Sequence, residues 1–166
     1  TYVFSISLDK DDDVLITVKK KGLAFNSAYI SAEDSLFISP YNLDFEMQEL
    51  SEGKSFNIAN IYFENNSYDL QDAAKEVLIE FARYLELNST LVIEVNGFTD
   101  NVGNMQDNQL LSENRSKAVR NLILNQGISK ERVSYNGFGE SFPVSSNDTE
   151  KGRAENRRTE FKIISQ

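Results

Sequence analysis

Two rhythms of hydrophobic spacing divide this chain. From Phe4 to Leu8 apolar and polar residues alternate, the two-residue period of a strand with one buried face. Tyr2–Leu8 is therefore a first strand, and Val14-Leu15-Ile16-Thr17-Val18 is a second, β-branched one. Asp11-Asp12-Asp13 lies between them as a solvated hairpin tip. No ligand-completing Gly and Glu follow at the spacing a calcium loop needs. Lys19-Lys20-Lys21-Gly22 makes the next turn, Leu23–Ile30 a third run, Pro40 and Asn42 a loop, and Leu43–Leu50 a fourth run. Short strands at this spacing predict an all-β, sandwich-like segment over residues 1–55.

Beyond Glu52-Gly53-Lys54 the period lengthens. Phe56–Phe63 reads as a strand. Over Gln71–Leu87, Ala74, Val77, Leu78, Phe81 and Leu85 form one helical stripe. Thr90–Val95 is a nearly unbroken apolar run, as expected of a central strand. Gly97–Asn108 is a polar loop. Leu110–Gln126 is a second helix with Leu111, Ala118, Val119 and Leu122 inward and Gly127 as its stop. Val133–Phe138 and Thr159–Ile164 are strands, joined through a polar connection, Asn147–Arg158, that holds a short helix. The expected fold is α+β, a βαβαβ domain over residues 56–166 with helices on a mixed sheet, preceded by the small β-rich segment 1–55.

Composition removes several classes of function. The net charge is −9, which argues against a duplex nucleic-acid binder and against docking on anionic lipid through bulk charge. There is no Cys and no His, so the thiol nucleophile, the zinc ribbon and the commonest general base are missing. No apolar run approaches the ~18 to 20 residues of a membrane helix. The chain opens on Thr1 with no signal peptide and reads as an excised or mature piece of something longer. All seven Arg lie beyond residue 55, so the planar, bidentate cations are confined to the second part.

The richest loop is Gly97-Phe98-Thr99-Asp100-Asn101-Val102-Gly103, followed by Asn108 and Leu111-Ser112-Glu113-Asn114-Arg115. It follows the central strand, where sheet-and-helix domains present ligand-binding groups. One loop and one helical turn separate Asp100 from Arg115. Facing each other across a cleft, they would receive a zwitterion, Asp100 taking the ammonium and Arg115 the carboxylate. The plain alternative is a surface ion pair contributing about 0 to 1 kcal/mol. Arg157 and Arg158 either join such a site, cap the sheet edge, or pair with Glu155 and Glu160.

Several spaced motifs resemble those of the OmpA-like peptidoglycan-binding domains. Phe63-Glu64-Asn65-Asn66-Ser67-Tyr68-Asp69-Leu70 is similar to the opening strand-loop of that family. Gly97-Phe98-Thr99-Asp100-x-x-Gly103 with Asn108-x-x-Leu111-Ser112-x-x-Arg115 resembles its central motif. Gly137-Phe138-Gly139-Glu140-x-x-Pro143 and Asn147-x-Thr149-x-x-Gly152-Arg153-x-x-Asn156-Arg157-Arg158 resemble its closing motifs. Phe98 stands where the family has His, and Ser116 where it usually has Ala; the first is expected to alter the pocket wall. The resemblance implies non-catalytic binding of the peptidoglycan stem peptide through meso-diaminopimelate. Asp100 would take the amine and Arg115 the carboxylate, with Asn66, Thr99, Asn108, Leu111 and Arg158 completing the pocket. It also implies no metal or cofactor, and a periplasmic place between the outer membrane and the wall. Lys20-Lys21-Gly22-Leu23-Ala24-Phe25 and the later Pro40-Tyr41 with Asp44-Phe45-Glu46-Met47 resemble the end of a carboxypeptidase-regulatory-like β module. Such modules precede this domain in Bacteroidetes-type envelope proteins, which implies spacing and contact with other envelope proteins; alternatively the segment only extends the sheet of the binding domain.

Two other classes compete. A glycosidase would need paired carboxylates roughly 5 to 9.5 Å apart across a groove, and Glu94, Asp100 and Glu140 are the candidates. A protein-contact module with a silent pocket would fold without binding a stem peptide.

Overall fold

A computed structural model of the chain describes residues 13–30, 45, 47–59, 61–64 and 67–166. Strands β1 (Val14–Val18) and β2 (Asn26–Ile30) form a two-stranded antiparallel sheet with Val14 opposite Ile30. They turn through Gly22, whose φ of +81° lies in the left-handed region open to glycine. There follow β3 (Ser55–Asn57), α1 (Asp72–Leu87), β4 (Val92–Gly97), α2 (Met105–Asn125), a 3₁₀ turn (Lys130–Arg132), β5 (Val133–Gly137), α3 (Glu150–Asn156) and β6 (Thr159–Ser165). These strands make a four-stranded sheet in the order β3-β6-β4-β5. Only β4 and β5 run parallel. The mixed sheet covered by helices is the expected α+β architecture.

The core forms where the stripe of α1 meets the sheet. Val77, Leu78, Phe81 and Leu85 are fully buried with Ile93, Val95, Phe161 and Ile163. Phe81 packs edge-on to Phe161 at 4.8 Å and to Phe25 at 5.3 Å. Each such ring removed from water contributes roughly 1.5 to 3 kcal/mol. Arg132 fastens the far end of α1 to the start of β4. Its guanidinium donates to the carbonyls of Leu85, Asn88 and Leu91 at 2.7 to 3.0 Å, and burial pulls its pKa down.

The N-terminal segment sits against the same core. Ala24, Phe25 and Leu50 are buried in it. The Tyr84 hydroxyl donates to Leu23 O at 2.6 Å, Asn88 Oδ1 accepts from Gly22 N at 3.0 Å, and Lys19 pairs with Glu80. Among the described residues of 1–55 the expected series of strands reduces to β1, β2 and a single bridge, Leu23 to Glu49. The run from Leu23 starts as a strand only at Asn26, because Leu23–Phe25 turn inward to the helix. The first predicted run, Tyr2–Leu8, lies outside the described residues, as do Leu43, Asp44 and Glu46 of the fourth and Asp11 and Asp12.

Two boundaries differ from those expected. The strand predicted over Phe56–Phe63 is regular only to Asn57 and resumes as a bridge between Phe63 and Leu70. Helix α2 begins at Met105, five residues before the first apolar position that marked it. Asn104 caps it, accepting from Gln106 N at 2.7 Å. Its first turn faces solvent and so carries no hydrophobic period. The buried face is also rotated: Asn108, Ser112, Ser116, Val119 and Ile123 are buried, while Leu111, Ala118 and Leu122 are only partly covered.

Candidate functional site

The site is built where parallel β4 and β5 end together. Gly97 and Gly137 are register partners there, and α2 lies directly on them. A Cβ at Gly97 would come 2.4 Å from Ser112 O, and one at Gly137 would come 2.3 Å from Glu113 N. Only hydrogen in those places lets the helix approach so closely. Ser116 Oγ fills the remaining gap, donating to Asn136 O at 2.7 Å. The first half of α2 is thereby held over the loop Phe98–Gly103.

Asp100 is nearly buried, at 8% exposure. Its Oδ1 accepts from Val102 N at 3.0 Å, the Asx-turn that shapes the loop. Its Oδ2 accepts from Arg157 Nη1 at 2.7 Å. Asn108, on the first turn of α2, donates to Asp100 O at 3.3 Å and to Glu140 Oε2 at 2.7 Å. Thr99 donates its N–H to Gly139 O at 2.9 Å, while its buried Oγ1 has no hydrogen-bond partner among the described residues. A buried hydroxyl in that condition is uncommon in a folded protein.

Arg115 projects from α2 one turn beyond Leu111, on the same helical face. Its Nε donates to Ser67 O at 2.9 Å and its guanidinium stands 4.9 Å from the centre of the Phe63 ring. Among the described residues neither Nη makes a hydrogen bond. Burial is the larger influence pulling its pKa down; the neighbouring charge of Arg157 adds to that, and Asp100 opposes it. Asp100, Arg115 and Arg157 thus lie within electrostatic reach of one another, with two cations sharing one buried carboxylate.

Arg157, carried by the closing motif but not named among the pocket residues, is the arginine that reaches Asp100. The segment before it exists to place it. Thr149 caps α3 by accepting from Gly152 N at 3.1 Å. Buried Asn156 holds Val144 N, Ser145 N and Ser145 O at 2.8 to 3.0 Å. Arg157 then bridges Asp100 and Glu150, and both raise its pKa. The expected partner Glu155 is not the one it takes.

Arg158, predicted to complete the pocket, does not join it. Its guanidinium lies 3.8 Å from the centre of the Phe98 ring, its Nε donates to Glu160 at 2.8 Å, and its Nη2 donates to Phe142 O at 3.2 Å. Consecutive side chains entering a strand point to opposite sides, so only one of the two arginines can face Asp100. For the same reason Phe98 does not line the cleft: its ring stacks on Phe138 at 5.3 Å. Of the other predicted residues, Thr99, Asn108 and Leu111 stand on the elements that carry Asp100 and Arg115, and Asn66 lies outside the described residues. Glu94 is opposite Lys162 on β6, away from this loop. Among the described residues no group of three His, Cys, Asp or Glu side chains could hold a metal ion.

A sequence model of the OmpA family matches residues 62–157. The peptidoglycan-associated lipoprotein of Pseudomonas putida is 35% identical over 105 residues, covering 63% of this chain and 63% of that protein. The crystal structure of the peptidoglycan-associated lipoprotein from Burkholderia pseudomallei is 29% identical, with a TM-score of 0.58 over 62% of this chain and 87% of that one. The structure of the cell wall anchor of the T6SS from Pseudomonas aeruginosa is 25% identical, with a TM-score of 0.57 over 68% of this chain and 80% of that one. The chain spans 63% of the length of the P. putida relative and 48% of another curated relative, a probable lipoprotein of Escherichia coli.

Proposed function

Because this chain belongs to the OmpA family, we propose that it binds peptidoglycan without catalysing a reaction on it, and so ties the protein that carries it to the cell wall. The names of its relatives support wall binding. In this reading the chain works in the periplasm, next to the outer membrane; no helix among the described residues is long and apolar enough to cross a membrane. Residues 56–166 are the binding unit, and residues 1–55 are left for spacing and for contact with other envelope proteins.

The ligand group is the far end of meso-diaminopimelate in the stem peptide, which carries an ammonium and a carboxylate on one carbon. The observation that supports this assignment is the state of Arg115. Its position is held by Ser67 O and the Phe63 ring while its two Nη stay unengaged among the described residues, beside the Asp100–Arg157 pair. A carboxylate laid against that fork makes two parallel charge-assisted hydrogen bonds. The adjacent ammonium then reaches the lone pairs of Asp100 that Val102 N and Arg157 leave open. Thr99 Oγ1 is available to the same ligand as a donor or acceptor. No general base or activated nucleophile is asked for, since every group named binds charge.

The arrangement discriminates against lysine at the same stem position. Lysine offers the ammonium but no second carboxylate, which leaves Arg115 desolvated and unpaired. The expected loss is about 2 to 4 kcal/mol, or ~30- to 1000-fold in affinity. Calorimetric titration with diaminopimelate- and lysine-containing stem peptides tests this. Asp100→Ala and Arg115→Ala are each expected to lose binding and to stop sedimenting with cell-wall sacculi, while keeping the circular dichroism of the parent. Sedimentation retained by either folded variant would overturn the assignment.

A further inference from the structure

Arg115 is a half-buried cation without a carboxylate of its own. Arg83, Arg153, Arg157 and Arg158 each pair with one. Arg132 spends its guanidinium on three backbone carbonyls. Arg115 does neither. Its Nε donates to the neutral Ser67 O, its guanidinium lies over the Phe63 ring, and among the described residues no carboxylate pairs with it. The carboxylate within electrostatic reach, Asp100, already accepts from Val102 N and Arg157. Burial lowers the pKa of Arg115, and the charge of Arg157 lowers it further. The cleft therefore holds a desolvated positive charge, a second cation beside it, and two Nη that no described residue engages.

A cation taken out of water is repaid in full only by an opposite charge. A carboxylate brings that charge together with two acceptor oxygens, one for each Nη. A carboxamide has the same size and shape but is neutral and offers a single acceptor oxygen. Its other arm is an NH2, which turns donors toward a guanidinium that can only donate. One of the two parallel hydrogen bonds is thereby replaced by two donors facing each other, and the charges of Arg115 and Arg157 gain no counterion. The comparison with lysine removes the whole group, so it mixes lost charge with lost contact. The carboxamide keeps every heavy-atom position and removes the charge alone.

We propose that Arg115 reads the charge of the ligand's far carboxylate, so that a stem peptide amidated at that group is refused and a wall so amidated no longer holds this chain. The inference rests on the peptide-binding reading above and names what regulates the site: the chemical state of the ligand, with no change in the protein. The test titrates the complete 166-residue chain by calorimetry with two peptides, the diaminopimelate stem peptide and the same peptide carrying a carboxamide at the far carboxylate. The parent is expected to bind the amide roughly 30- to 1000-fold more weakly than the acid, the loss expected for lysine although no heavy-atom position is vacated. Arg115→Gln places a carboxamide where the guanidinium stood, and two carboxamides pair by reciprocal N–H···O bonds. This variant should bind the acid more weakly than the parent does and lose the preference for it. Sacculi whose diaminopimelate is amidated should leave the parent in the supernatant. Equal affinity of the parent for acid and amide would overturn the proposal while leaving the peptide site standing; that comparison needs no variant. Full preference for the acid retained by folded Arg115→Gln would assign the reading of charge to Arg157 and overturn it too. Failure of the parent to bind even the acid would remove the peptide reading itself, and this inference with it.

Discussion

Helix α1 meets the sheet through Val77, Leu78, Phe81 and Leu85, whereas α2 meets it at Gly97 and Gly137 through Ser112 and Ser116. The first contact is wide and apolar and stabilises by removing area from water. The second is close: Ser116 Oγ donates to Asn136 O and Ser112 Oγ accepts from Gly139 N, while further along α2 only Val119 and Ile123 join the apolar core. It gives less hydrophobic stabilisation but sets the distance between helix and strand ends to within a side chain. The molecule therefore holds its fold together on one helix and its chemistry in place on the other. The described residues of the N-terminal segment add to the first side, through Phe25 against Phe81 and Tyr84.

The comparison can be broken most strongly at Phe81. Phe81→Ala empties the centre of the aromatic cluster and is expected to cost about 3 to 5 kcal/mol in denaturant unfolding. Ligand affinity per folded molecule should be nearly unchanged; a large loss of affinity in the folded fraction would mean the two sides are not separable.

Tyr84 sharpens the same side through pH. Burial raises its phenol to a pKa of about 12 from the ordinary 10.0. The neutral form is the one the fold favours, so its contribution is complete below pH 10 and is lost as pH rises through 12. Integrated over that window the loss is about 2 to 3 kcal/mol. Thermal unfolding of the parent should steepen its decline between pH 10 and 12. Tyr84→Phe should lack that increment, and parallel curves for the two would refute the linkage.

On the other side, Gly137→Ala places a methyl against the backbone of Glu113, which cannot yield as a side chain would. A stability loss of about 1 to 3 kcal/mol is expected. Here affinity should also fall, since α2 carries both Asn108 and Arg115; calorimetry on the folded variant decides. The smallest effect is expected at Asn104, whose side chain caps α2. Asn104→Ala should lower stability by about 1 kcal/mol and fray the turn that carries Asn108, measurable as faster amide exchange at Gln106 and Asp107.

Legibility in the sequence follows the same division. The stripe of α1 could be read because a wide apolar contact must repeat every three to four residues, and the observed helix, Asp72–Leu87, agrees within a residue of the expected one. The start of α2 could not, because its first turn is exposed and the first half of the face it buries is made of Asn and Ser. Serine and asparagine signal caps and loops in a sequence; only the two glycines beneath them make them a packing surface. The N-terminal strands were legible as strands, but not their seat on α1, since nothing local records which distant side chain Phe25 will meet.

The site divides likewise. Asp100 and Arg115 stood out because spaced motifs carry them, and the structure brings their elements together. Arg157 and Arg158 are adjacent and chemically identical, so spacing cannot choose between them. The choice is made where the chain enters β6: alternation sends Arg157 to Asp100 and Glu150, and Arg158 to Phe98 and Glu160. The sequence by itself determined the residue types and the periods that make helices and strands. The tertiary structure decided which of two equal arginines faces a buried carboxylate, because strand direction and helix approach are properties of elements already packed.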